Sequence, residues 1–319
     1  MIFNYQDFLL EYQHKDTQML LTELKDYFTI GFEIEVEVDR NRLNESKPFD
    51  YISRPYKKSI DLFKRNFTKF SEKYSDIIDF HFDETLIFGL EIVNKPFTNL
   101  NIAIEYITDF FEEYNKQGIF KFKESTSIHV NIGTSTDKEW DIVKGLVMLS
   151  DNDKPWSHEP EYKSKVPFVF KDMENRSFNL FCKSLKDQIL QNPLLSGNKE
   201  LYKNIISTTN IGEIKDNLIA VIKRILPQQE KIGKGIGFNI GKILYGSDKY
   251  VEFRYIGGDN ITNEIVVEKI KYFCYIIYLM TSDYKQKDFI HKLFSFVNKI
   301  RNKYEKDLEF NKGLDRLLR

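Results

Sequence analysis

"GFEIEVEV" spans residues 31–38 and sets Glu33, Glu35 and Glu37 at every second position, with Phe32, Ile34, Val36 and Val38 around them. Successive side chains of an extended chain point to opposite faces, so the carboxylates share one face of a strand and the apolar residues the other. Neighbours two apart on a strand lie roughly 6–7 Å from each other. Like charges at that spacing repel where water is scarce. Either water screens them or a cation belongs among them. The fold turns on reading 29–38 as a strand with one apolar and one acidic face.

Three further stretches repeat the design. In "LEIVNKPF" (90–97), Glu91 stands between Leu90 and Ile92. In "SIHVNIGT" (127–134), His129 and Asn131 share a face opposite Ile128, Val130 and Ile132. In "YVEFRYIG" (250–257), Glu252 and Arg254 share a face opposite Val251, Phe253 and Tyr255. Taken singly, each has a bland reading: a solvated sheet face, a hydrogen-bonded histidine, a neutralised surface pair of little energy. Taken jointly, strands from distant parts of the chain converge if they share one sheet, and their polar faces then form one carboxylate-rich pocket. Hard oxygen ligands of that kind suit Mg²⁺ or Mn²⁺, and a histidine among them is better tolerated by Mn²⁺.

The rest of the chain supplies helices to cover the apolar faces. Helical spacing marks 5–28, the stretch from Ile60 to Tyr74, 98–118, 136–150, 174–191, 212–226, 263–282 and 285–307, and strands are expected also at 77–82 and 87–94 around a turn at Asp83-Glu84. The glycine-rich 231–246 reads as a loop with a strand-like second half. Residues 151–172 carry three prolines, Trp156, His158, Glu159 and Glu161, a loop suited to recognising an acceptor substrate. Helices interleaved with closely linked strands imply an α+β fold with a mainly antiparallel sheet. The expected division is an N-terminal helical extension at 1–28, a catalytic domain at 29–262 and C-terminal helices at 263–319 on that same domain.

Composition narrows the partners. With 319 residues, 41% hydrophobic and 30% charged, the chain buries a sizeable core, and a net charge of −1 gives no overall field toward nucleic acid or anionic lipid. The longest apolar run, "YFCYIIYLM" at 272–280, falls far short of the roughly 20 residues that span a bilayer. Cys182 and Cys274 both sit in apolar helical patterns and read as buried thiols, which fits a reducing compartment; the expected setting is cytoplasmic.

The order and wording of these strands resemble the amidoligase family of the glutamine synthetase and glutamate–cysteine ligase superfamily. That family shows a G-x-E-x-E strand, an acidic turn leading to G-x-E-I-V-x-P, a G-x-H-V-H strand ending in glycine, an asparagine-bearing strand and an E-F-R strand. The matching stretches here are Gly31 to Glu35, Asp83 to Leu86 with Gly89 to Pro96, Ser127 to Gly133, Gly237 to Ile240, and Val251 to Arg254. A weaker segment, "NRSFNLFCKSL" (175–185), adds Arg176. The resemblance covers residues 31–260. Asn131 stands where the family has a second histidine, and Ser127 where it has glycine. An asparagine can donate or accept a hydrogen bond but is a poor metal ligand and no general base.

The resemblance implies a glutamine synthetase-like curved sheet and an ATP-dependent ligase that joins a small-molecule or peptide carboxylate to an amine through an acyl phosphate. It implies Glu33, Glu35, Glu91, His129 and Glu252 as ligands of Mg²⁺ or Mn²⁺, with Arg254 on the transferring phosphate. Asn239, Arg176, Asn131 and Lys234 would orient ATP phosphates or the carboxylate, and Asp83 would orient the metal ligands or the amine. "GKGIG" (233–237) is no Walker loop, which needs G-x-x-x-x-G-K-[ST]. Glu37 lies beyond the motif, either solvated or supporting the others from behind. Two rival readings keep the same residues: metal-dependent phosphoester cleavage, and a weakly active or inactive binding module in which Asn131 marks decay.

Overall fold

The computed structural model describes residues 15–39, 55–82, 86, 89–123, 126–149, 184–191, 199–226, 236–247, 249–257 and 261–317. The expectations placed on Asp83, on 151–172, on Arg176, on Cys182 and on Lys234 lie outside the described residues. In chain order the described elements are α1 (Lys15–Glu23), β1 (Phe28–Val38), α2 (Pro55–Asn66), α3 (Thr68–Lys73), β2 (Ile78–His81), β3 (Gly89–Asn94), α4 (Leu100–Tyr114), β4 (Phe120–Lys121), β5 (Ser127–Thr134) and α5 (Ile142–Met148). There follow α6 (Leu185–Gln191), α7 (Lys199–Ser207), α8 (Ile211–Ile225), β6 (Phe238–Asn239), α9 (Gly241–Tyr245), β7 (Tyr250–Gly257), α10 (Asn263–Met280) and α11 (Gln286–Leu317). Helices with an antiparallel sheet make this an α+β chain. No helix among the described residues is long and apolar enough to cross a membrane.

The chain divides into two compact units, one holding the described parts of 1–137 and 250–275, the other those of 138–149, 184–249 and 276–317. In the first unit the sheet runs β2–β3–β1–β5–β7 with every neighbour antiparallel, and β4 adds to the end of β1. The long strand β1 is central because its whole apolar face is wanted: Ile30, Phe32, Ile34 and Val36 are fully buried. Helix α4 covers them, with Tyr106 stacked on Phe32 at 5.6 Å. Helix α2 places Phe63 edge-on to Phe80 of β2, and α10 stacks Phe273 on Phe253 of β7 at 4.2 Å. Aromatic layers of this kind each bury a large apolar area and hold the sheet against its helices. Gly89 opens β3 because a Cβ there would sit 2.5 Å from the carbonyl oxygen of Val36.

Local hydrogen bonds set the helix ends and account for most differences from expectation. The single helix expected around Ile60 to Tyr74 is two. It breaks at Phe67, and the Glu113 carboxylate of α4 accepts from the backbone N–H groups of Lys69 and Phe70 at 3.3 and 2.9 Å, capping the second piece. Asn99 caps α4 through bonds to the N–H groups of Asn101 and Ile102. Asp141 accepts from Lys144 N at 2.9 Å, so α5 starts at Ile142 rather than 136. Among the described residues 236–246 the strand is Phe238–Asn239. The Asn239 Oδ1 accepts from Gly241 N at 3.0 Å and turns the chain into α9. Helix α7 was not foreseen.

In the second unit, α8 buries Ile214, Leu218, Val221 and Ile222, and α7 buries Tyr202 and Ile205. The buried Lys144 ammonium donates to the carbonyls of Ser282 and Tyr284 at 2.7 Å each, tying α5 to the turn before α11.

Candidate metal centre

The register of β1 with its neighbours brings the polar faces together. Glu35 lies opposite Glu91, and Glu91 opposite His81. Glu33 lies opposite His129, and Asn131 opposite Glu252. Since residues directly across a sheet share a face, these side chains point one way. Between β5 and β7 the pairing shifts. Ile128 pairs with Ile256 and Val130 with Phe253, so Arg254 and Tyr255 together oppose His129. Such a two-against-one bulge bends its strand and re-aims side chains. Arg254 stays on the polar face, where its Nη1 donates to Glu252 Oε1 at 2.5 Å. Tyr255 turns toward Phe273 of α10, and its carbonyl accepts from the buried Lys269 ammonium at 3.0 Å.

His129 is the hub. Its Nδ1 lies 3.0 Å from Glu33 Oε2 and 3.6 Å from Glu252 Oε1. Its Nε2 lies 2.7 Å from Ser127 Oγ and 3.7 Å from Glu35 Oε1. Ser127 Oγ donates to Glu35 Oε2 at 2.6 Å, and Asn131 Nδ2 donates to Glu33 Oε1 at 2.9 Å. Two overlapping sets offer ligand atoms within 4.8 Å of one another: Glu33, His129 and Glu252, and Glu35, Glu91 and His129. The bland reading of a solvated face fails here, because Glu35 is 4% exposed, Glu37 6% and His129 2%. Glu37 is not solvated; Lys123 Nζ pairs with it at 2.6 Å.

Electrostatics follow from that packing. Burial alone would raise the Glu33 carboxyl. The hydrogen bond and charge of His129, the Asn131 amide and the Arg254 charge outweigh it and hold Glu33 at about 2. For His129, burial pushes the imidazole down and so does Arg254, yet the bond to Glu33 and the charges of Glu35 and Glu252 carry it above the ordinary histidine value. Both shifts favour the charged forms, a carboxylate on Glu33 beside an imidazolium on His129.

Glu33, His129 and Ser127 fall in a line with the spacing of a hydrolytic triad, but the protons run the wrong way for a nucleophile. The Ser127 proton is committed to Glu35, since a carboxylate only accepts. His129 therefore presents an N–H to the hydroxyl and cannot serve as its base. Ser127 is also 3% exposed.

Of the residues expected in the site, Glu33, Glu35, Glu91, His129, Asn131, Glu252 and Arg254 come together on one face. Asn239 falls in the second unit, where it makes the turn into α9. Asp83, Arg176 and Lys234 lie outside the described residues. Sequence reasoning gave no role to Ser127, to Lys123 or to His81, whose Nδ1 lies 3.7 Å from Glu91 Oε2 at the sheet edge. The signal for Ser127 was present, because it continues the His129 and Asn131 alternation.

No protein-family model and no curated protein matches the chain. Among solved structures it is similar to the crystal structure of a bifunctional glutathione synthetase from Pasteurella multocida, with 13% identity and a TM-score of 0.33. The match covers 90% of this chain and 42% of that one, so the chain spans less than half of that protein's length. A likeness of that size carries no argument for fold or activity.

The donor set fits a hard divalent cation. It offers carboxylate oxygens and a single imidazole, and beside them the Asn131 Oδ1 is buried with no hydrogen-bond partner among the described residues.

Proposed function

We propose that the chain is an ATP-dependent carboxylate–amine ligase of the amidoligase kind, built on a glutamine synthetase-like curved sheet. One observation carries the reading. Four of the five motifs that resemble that family carry Glu33, Glu35, Glu91, His129, Glu252 and Arg254, and these residues share a single sheet face. In this reading Glu33, Glu35, Glu91, His129 and Glu252 hold Mg²⁺ or Mn²⁺. When bound, the cation supplies charge neutralisation for the triphosphate and the transferring phosphoryl group.

The substrate carboxylate attacks the γ-phosphate of ATP, forming an acyl phosphate and releasing ADP. The amine then attacks the acyl carbon, phosphate leaves, and an amide forms with loss of the amine proton. Arg254 holds two oxygens of the phosphoryl group in its planar fork. Strand alternation keeps it on the same face as Glu252, beside the carboxylates. Asn131 orients Glu33. By resemblance, Arg176 contacts phosphate or carboxylate, and Asp83 the amine.

The test is release of ADP and phosphate from Mg–ATP across panels of carboxylates and amines. Turnover that requires both co-substrates supports ligation. Phosphoester cleavage without ATP supports the rival hydrolase. Calorimetry that detects no Mg–ATP binding points to a non-catalytic module.

A further inference from the structure

We infer that Ser127 fixes the tautomer of His129 and so assigns the tighter cation to Glu33, His129 and Glu252 rather than to Glu35, Glu91 and His129. The inference rests on the reading of this face as a divalent-cation centre. The two sets share one imidazole. A neutral ring has one lone pair, so it serves one set or the other at a time.

The hydrogen bonds decide which. A serine hydroxyl carries one proton, and a carboxylate can only accept it. Ser127 Oγ lies 2.6 Å from Glu35 Oε2, so its proton points there. The same oxygen lies 2.7 Å from His129 Nε2 and must accept from it. Nε2 therefore keeps its hydrogen when the ring is neutral and ligating, and the lone pair sits on Nδ1. Nδ1 faces Glu33 at 3.0 Å and Glu252 at 3.6 Å, whereas Glu35 meets the ring at Nε2. Metal-bound histidines commonly have their other N–H held in this way, which orients the ring. Ser127 is thus a positioning residue.

Asn131 points to the same set by an independent route. Its Nδ2 must face Glu33 Oε1, 2.9 Å away, because a carboxylate accepts and an amide oxygen would be repelled there. That orientation leaves Glu33 Oε2 toward the histidine. It also leaves Asn131 Oδ1 buried and without a partner among the described residues, on the strand position paired with Glu252. Asparagine is a poor ligand beside a histidine or a carboxylate, but its amide oxygen does coordinate hard cations and adds no charge. The tight set is then two carboxylate oxygens, one amide oxygen and one imidazole nitrogen. The pair Glu35 and Glu91 keeps only a weaker, oxygen-only site.

Mn²⁺ alone is the probe, titrated into the full chain without nucleotide and followed by electron paramagnetic resonance of the free ion at pH 7.5. Circular dichroism and a melting curve accompany each variant. Wild type should bind one Mn²⁺ tightly and any second ion more weakly. Ser127→Ala should weaken the tight site about 10–100-fold, and Ser127→Thr, which restores the hydroxyl, should recover it. Glu252→Gln should abolish the tight site, while Glu91→Gln should weaken it at least about tenfold less. Nitrogen modulation of the bound-ion spectrum should persist in Glu91→Gln. Tight binding unchanged in Ser127→Ala, or lost equally in Glu91→Gln and Glu252→Gln, overturns the inference and leaves the cation reading intact. Wild type that binds no Mn²⁺ at all overturns both. The contrast between Glu91→Gln and Glu252→Gln decides the question even if Ser127→Ala fails to fold.

Discussion

Replacing Glu33 by glutamine in chelator-treated protein should cost stability only within a defined pH window. The Glu33 carboxyl sits at about 2 in the fold against 4.5 unperturbed. At about 1.4 kcal/mol per unit this would be roughly 3 kcal/mol. The side chain retains 27% exposure and its partner titrates too, so about 2 kcal/mol is the working figure. A depressed carboxyl contributes fully above 4.5, and the contribution is lost as pH falls from there toward 2. His129 is raised, so its share is full below 6.5 and disappears as pH climbs through its elevated value. The pair therefore stabilises most between about pH 4.5 and 6.5. Melting curves of wild type and Glu33→Gln from pH 3 to 9 at fixed ionic strength give the difference directly. At about 2–4 °C per kcal/mol, the gap should be about 4–8 °C near pH 5.5 and narrow on both sides. A gap that stays constant across the range would mean that Glu33 and His129 do not act as a charged pair, and the electrostatic account of the centre would fail.

Other outcomes follow from single contacts. Arg254→Lys should keep the fold and lower phosphoryl transfer about 10²–10³-fold, read as ADP release beside a melting curve; near-normal turnover would remove Arg254 from the mechanism. Ile256→Ala should cost about 2–5 kcal/mol in denaturant unfolding, because the bulge sends this fully buried side chain into the core; a loss under 1 kcal/mol would argue against the bulge. Lys269→Met should cost about 1–3 kcal/mol by removing the donor to the Tyr255 carbonyl, and no change in the midpoint would show that the buried ammonium is dispensable. Asn99→Ala should cost about 1 kcal/mol, with amide exchange faster in the first turn of α4 than elsewhere in that helix.

Alternation was legible because it is a local property. The "EIEVE" row needed only the two-residue period of a strand to separate carboxylates from Phe32, Ile34 and Val36, and those three are fully buried as that period requires. Helix ends were less legible because distant partners fix them. The break at Phe67 depends on Glu113, which is 46 residues away in sequence and whose reach no local pattern announces. The strand-like half of 231–246 was legible only in part, for a related reason. "GFNIGKILYG" alternates like a strand, and Phe238–Asn239 is one, but the asparagine side chain bonds two residues ahead and turns the chain there.

The centre itself was legible as a composition of faces but not as a set of distances, and β7 shows why. Val251, Glu252, Phe253 and Arg254 alternate, then Tyr255 and Ile256 follow as two apolar residues in succession. An unbroken ladder starting from Asn131 opposite Glu252 would set Ile256 opposite Ser127, on the acidic face. The bulge absorbs one residue. Ile256 instead pairs with Ile128 in the core, and Gly257 stands opposite Ser127. A glycine there presents no side chain against the hydroxyl that bridges Glu35 and His129. The doubled apolar step was therefore the trace of the bulge in the sequence. Its meaning depends on pairing with a strand more than 120 residues earlier, and on Lys269 supplying a donor from beneath the sheet. Register, not residue type, turns a row of repelling carboxylates into a place where one cation can sit.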